Sequence, residues 1–145
     1  MKVTRVRDVK LPTRGTPQSA GIDFYVPNNY GEKSLGPGHK AFIPSGIKAN
    51  VPPGHALIAF NKSGVALKKN LFVGACVVDE DYQGEIHLHV VNVGTESITI
   101  EGGEKLVQLV LVPVFYDTIE EVKQEELFST TTERGAGGFG STGNF

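Results

Sequence analysis

The chain has 145 residues, of which 39% are hydrophobic, 8% aromatic and 21% charged, and its fourteen basic and sixteen acidic side chains give a formal charge of -2. That length suits one domain with a real core, while the near-neutral balance excludes the basic stripe that nucleic acid or an anionic membrane surface requires. No apolar run approaches the ~18 residues of a membrane span and no basic-then-apolar leader is visible, so a soluble cytoplasmic protein is expected, and the single cysteine, Cys76, suits a reducing compartment.

Apolar residues mostly alternate instead of recurring every three or four positions, which is the pattern of half-buried strands. In chain order, strands are expected over residues 3–11, 41–43, 47–51 and 56–60, then one short helix over 63–70, then strands over 71–78, 86–90, 98–100 and 106–114. Turn signals such as GPGH, PPGH and EGGE separate them. Residues 28–39 read as a loop without an assigned role, and residues 120–128 as a weaker helix. The run 106–114 is almost continuously apolar, as a strand buried on both faces is; subunit contacts and an ordinary core strand account for it equally. The fold class is all-β, a jelly-roll-like barrel or sandwich with one short helix. Residues 1–128 form the domain, and the glycine-dense residues 129–145 form a flexible tail, because each glycine loses much freedom on ordering.

Four stretches could carry chemistry. In GACVVDEDYQGEI an apolar run ends in Asp79, Glu80 and Asp81, followed by Tyr82 and a glycine. A rigid hairpin there would present one carboxylate as a base toward water and one ring as a flat wall; the bland alternative is an acidic turn. In NKSGVALKKN, Ser63 and Gly64 at a helix start offer a hydroxyl and free N–H groups, with Lys62 as a point charge, which is either an anion site or an ordinary cap. His87 and His89 alternate on one strand face, but no further ligand has metal-site spacing, so two histidines on a solvated face are expected instead of zinc. The tail holds G-x-G-x-x-G from Gly135 to Gly140, a match read as spurious because a dinucleotide fingerprint needs a strand before it and a helix after it.

In chain order, AGIDF (residues 20–24), KSG (62–64), VVDEDYQGE (77–85), GEKLVQL (103–109) and RGAGGFGSTG (134–143) closely resemble the five ordered motifs of the trimeric dUTPases. The resemblance spans nearly the whole chain. It implies a homotrimer with sites shared between subunits, hydrolysing dUTP to dUMP and pyrophosphate with Mg²⁺. By that resemblance Asp79 holds the attacking water, Tyr82 lies against the deoxyribose and rejects a 2′-hydroxyl, and Cys76 and Val78 line the uracil pocket. Asp23 binds Mg²⁺ through water. Lys62, Ser63, Gly64 and Gln108 meet the phosphates, Phe139 caps the base beside Gly140, and Arg134, Ser141 and Thr142 grip the γ-phosphate. Lys62 and Lys105 stand where the family usually has arginine, and Val107 where it usually has alanine. Two rival expectations remain: a dCTP deaminase or bifunctional enzyme on the same fold, and a nucleotide-sensing module.

Overall fold

Alternating residues become strand wherever one side of the chain can be buried, and the computed structural model, which describes residues 1–141 and 143, places eleven strands and one α-helix among them. These are β1 (Lys2–Arg5), β2 (Ile22–Tyr25), β3 (Glu32–Leu35), β4 (Lys40–Pro44), β5 (Ile47–Asn50), β6 (His55–Phe60), α1 (Ser63–Lys69), β7 (Leu71–Val73), β8 (Val77–Val78), β9 (His87–Asn92), β10 (Ile98–Glu101) and β11 (Lys105–Pro113). All pairings are antiparallel. A four-stranded sheet runs β2-β11-β6-β8 and a three-stranded sheet runs β4-β9-β7, with β1-β5 and β10-β3 as two-stranded ribbons. The fold is therefore all-β and jelly-roll-like, as expected.

The chain divides into two compact units, Met1–Phe115 and Tyr116–Phe145. In the first, Phe24, Ile43, Leu57, Leu88 and Leu109 are withdrawn from solvent, each burial contributing about 1.5–3 kcal/mol. Strand β9 shows the pleat directly, since Leu88, Val90 and Asn92 are buried while His87, His89 and Val91 between them are half-exposed. The central strand β11 buries Val107 and Leu109, but Gln108, Val110 and Val112 on the alternate positions are only half-buried. The short helix α1 ends at Asn70 in the left-handed region (φ 52°), whose N–H donates to the Ala66 carbonyl at 3.1 Å.

Five expectations change. The run 3–11 is strand only over β1. The run 71–78 breaks at Gly74 into β7 and β8, which belong to different sheets. Residues 28–39 contain β3, paired with β10, and Ile22–Tyr25, which is not among the expected strands, pairs with β11. In the second unit, residues 120–128 hold only one 3-10 turn at Gln124–Glu126, because a helix this short needs packing and its residues are exposed.

Candidate active site

The DEDY segment follows β8, which pairs with β6 and brings the start of the turn against the four-stranded sheet. The Ala59 N–H donates to the Cys76 carbonyl at 2.8 Å, and the Tyr82 N–H to the Asp79 carbonyl at 3.2 Å. Beneath this segment lies a recess of about 180 Å³ that gathers Cys76, Val78, Asp79 and Tyr82 with Phe42 and His87. That is smaller than the ~300–1,000 Å³ of a pocket for a whole ligand, and suits one ring of a larger molecule. Asp79 is exposed, and Tyr82 is 43% exposed. The Glu80 carboxylate instead accepts the Gly54 N–H.

The far wall of the recess was not legible in the sequence. His87 and His89 do not stand on a bare solvated face: Phe42, opposite His89 in the β4-β9 register, stacks on His87 at 4.4 Å and 8° and meets His89 edge-on at 5.9 Å. His89 Nδ1 accepts the Ala75 N–H at 2.8 Å. A Cβ at Gly74 would lie 2.2 Å from that nitrogen, which is why the chain carries glycine there. The alternation of His87 and His89 was the available signal, but only the strand pairing reveals Phe42.

Glu85 closes the turn. Its carboxylate takes a two-pronged contact from Arg7 (2.7 and 3.0 Å) and the Gly46 N–H at 2.7 Å. The Arg7 hydrogen bond, more than any other influence, holds the Glu85 carboxyl below its usual range; the Gly46 N–H and the charges of Arg7 and His87 act the same way, and burial opposes them. A carboxyl depressed in the folded state contributes stability above its unfolded value, about 4.3, and that contribution disappears as pH falls through the lower folded value. Arg7→Gln is therefore expected to melt lower than wild type at neutral pH and to converge with it in acid; melting temperature against pH checks this.

A second group forms around β2 and β11. Asp23, 5% exposed, pairs with Lys62, and Lys105 lies 3.6 Å from its other oxygen. Gln108, opposite Asp23 in the register, donates to the Asn61 carbonyl at 2.8 Å. Lys62 is the residue before α1, so Ser63 and Gly64 at the helix start lie beside the ion pair in the chain. Gly21 lets Gln108 reach this position, because a Cβ there would sit 2.0 Å from Gln108 Oε1. Gly21→Ala should break the link from Gln108 to Asn61 and lower stability by at least about 1 kcal/mol, read as the midpoint shift in a denaturant melt.

The two groups share no residue lining the recess. Among the described residues no cluster of three or more His, Cys, Asp or Glu side chains could hold a metal by itself. Asp23 supplies a single hard oxygen donor already faced by two ammonium groups, which would fit Mg²⁺ only as a partner to its water shell.

In the second unit, Arg134 donates through Nε to the Gly137 carbonyl at 3.0 Å, and Arg134 and Ser141 line one recess. Phe139 is fully exposed at φ 51°, followed by Gly140 at φ 90°. Thr142 lies outside the described residues.

A dUTPase family model matches residues 7–143, and the chain belongs to the dUTPase family. It is similar to the deoxyuridine 5'-triphosphate nucleotidohydrolase of Chlamydia pneumoniae, 42% identical over 136 residues that cover 92% of this chain and 91% of the relative. The mitochondrial deoxyuridine 5'-triphosphate nucleotidohydrolase of Homo sapiens is 39% identical over 132 residues, 91% of this chain; the chain spans about half of that relative's length (50%). The dUTPase of Staphylococcus bacteriophage 80alpha, solved with dUPNHPP, superposes with a TM-score of 0.86 at 25% identity, covering 98% of this chain and 97% of that one.

Proposed function

We propose that the chain hydrolyses dUTP to dUMP and pyrophosphate, with Mg²⁺, as a cytoplasmic homotrimer whose sites are shared between subunits, keeping uracil out of DNA and supplying dUMP. The observation that carries this reading is the recess under residues 77–86, where Cys76, Val78 and Tyr82 surround space for one ring and Asp79 stands at the same wall. The half-buried apolar positions Val110 and Val112 on a central strand support contact with further copies, and no helix among the described residues is long and apolar enough to cross a membrane.

In this mechanism the uracil ring enters the recess, and the backbone N–H and C=O groups of the hairpin read its edge, which cytosine's pattern of donors and acceptors does not match. Cys76 and Val78 are apolar wall. Tyr82 lies against the deoxyribose where a 2′-hydroxyl would stand. Asp79 aims a water oxygen at the α-phosphorus and takes the proton the water loses; the new P–O bond forms as the bond from the α-phosphorus to the bridging oxygen breaks, and pyrophosphate leaves. Bound Mg²⁺ supplies neutralisation of phosphate charge. Asp23 holds the water shell of that ion, while Lys62, Ser63, Gly64 and Gln108 hold the phosphate chain. Lysine at 62 gives a point charge where arginine would give a fork. Residues 129–145 act as a mobile lid that brings Arg134, Phe139, Gly140, Ser141 and Thr142 to another subunit's nucleotide.

Pyrophosphate release from dUTP, dCTP, dTTP and UTP with Mg²⁺ tests the reading. Rapid turnover of dUTP alone is expected. Release of ammonia from dCTP would overturn it in favour of a deaminase on this scaffold, tight dUTP binding without turnover would favour a sensor, and a monomeric mass in solution would remove the shared sites.

A further inference from the structure

Rejection of a single hydroxyl needs a ring that cannot swing aside, yet Tyr82 stands on an exposed turn and is itself 43% exposed. Its hydroxyl donates to the Glu85 carbonyl at 2.8 Å. The same oxygen meets His87 Nδ1 at 2.9 Å, and since a carbonyl only accepts, that nitrogen carries the proton. One carbonyl thus anchors two residues of the recess wall. Gly84 makes room for the ring, because a Cβ there would lie 2.3 Å from the tyrosine oxygen.

The peptide plane of that carbonyl is held on one side by the Ile86 N–H, which donates to the Ile47 carbonyl at 2.9 Å, and the side chain of Glu85 fixes the residue on the other. The Glu85 carboxylate is gripped at both oxygens by Arg7, from the segment that follows β1, and by the Gly46 N–H. Gly46 adopts φ 74° and stands where a Cβ would be 2.7 Å from Val9 Cγ1, so only glycine delivers that N–H. The Arg7 side chain is 43% exposed and that of Glu85 16%, so the pair's contribution to stability is modest. Its two-pronged geometry, in contrast, fixes direction.

We infer that Arg7 and Glu85 are positioning residues which, through the Glu85 carbonyl, hold the Tyr82 ring in place and thereby set the discrimination between dUTP and UTP. The inference rests on the proposed activity. It predicts that removing Arg7 frees the ring without touching the phosphate contacts, so the loss falls on selectivity.

The test measures kcat and KM for dUTP and UTP with Mg²⁺ on the full chain, Arg7→Gln, Arg7→Lys, Tyr82→Phe and the double variant Arg7→Gln/Tyr82→Phe, with a thermal melt of each. Arg7→Gln is expected to cut the dUTP/UTP ratio of kcat/KM about tenfold, through a lower KM for UTP more than a lower kcat for dUTP. Arg7→Lys, which keeps charge without the fork, should recover part of the ratio. Tyr82→Phe, which keeps the ring and loses the anchor, should lose as much, and the double variant no more than the larger single loss, since both act through one carbonyl. An unchanged ratio in folded Arg7→Gln, or losses that multiply in the double variant, overturns the inference. A wild-type chain that hydrolyses neither nucleotide defeats the proposed activity instead; the same variants are then compared by equilibrium binding of dUMP and UMP, where an unchanged dUMP/UMP ratio in Arg7→Gln overturns the inference.

Discussion

Asp79→Asn lowers dUTP turnover by about 10²–10⁴-fold, the usual contribution of a positioned general base, and moves stability by less than about 0.5 kcal/mol. The two halves of this expectation have separate causes. Asp79 is exposed, and among the described residues its carboxylate has no hydrogen-bond partner, so the fold does not depend on its charge. Asparagine keeps the shape and the oxygen but has no basic site to take a proton from water. The neighbouring acid provides the control: Glu80 is already committed to the Gly54 N–H, so Glu80→Gln should cost turnover far less and stability more. Pyrophosphate release alongside a melting curve for both variants decides the matter. Full activity of Asp79→Asn removes this residue from the chemistry, and equal losses in both variants mean that the turn, not one carboxylate, is what matters.

The features legible in the sequence are those whose signal is contiguous. Strands β6, β9 and β11 carry their own alternation or apolar run, α1 is marked between the Ser-Gly pair and Asn70, and the DEDY segment contains both its acid and its ring. The features missed depend on a partner distant in sequence. Strand β3 reads EKSL, with only Leu35 buried; its strand character comes from pairing with β10, which no local pattern announces. Residues 71–78 look like one strand until His89 arrives from β9 and occupies the space that a side chain at 74 would need. Phe42 becomes part of the recess only because β4 lies beside β9, and Arg7 meets Glu85 across 78 positions. The lysine substitutions were visible as departures, but the sequence alone did not indicate that Lys62 and Lys105 both face the Asp23 carboxylate.

Removing the ring of the tail should have the next largest effect. Phe139→Ala raises KM for dUTP about 5–150-fold, which corresponds to the ~1–3 kcal/mol of one ring stacked on one base, and leaves dUMP affinity almost unchanged. In the second unit the ring is fully exposed at φ 51°, a region bulky side chains seldom occupy, and nothing in a core accounts for it. Gly135, Gly137, Gly138 and Gly140 surround it with backbone that is costly to order. In the proposed mechanism, ordering such a segment is favourable only when several contacts form together, the base under Phe139 and the terminal phosphate against Arg134 and Ser141. On the proposed activity a monophosphate would offer the first without the second, so a tail acting as a lid would distinguish substrate from product. Cutting the chain before Arg134 should therefore cost more in kcat/KM than Phe139→Ala does. Phe139→Trp gives a direct readout, because the sequence has no other tryptophan: its fluorescence should change on adding dUTP with Mg²⁺ and stay flat with dUMP. Equal responses to both nucleotides would mean that the ring follows the base regardless of the phosphates, and an unchanged KM in Phe139→Ala would remove the tail from recognition altogether.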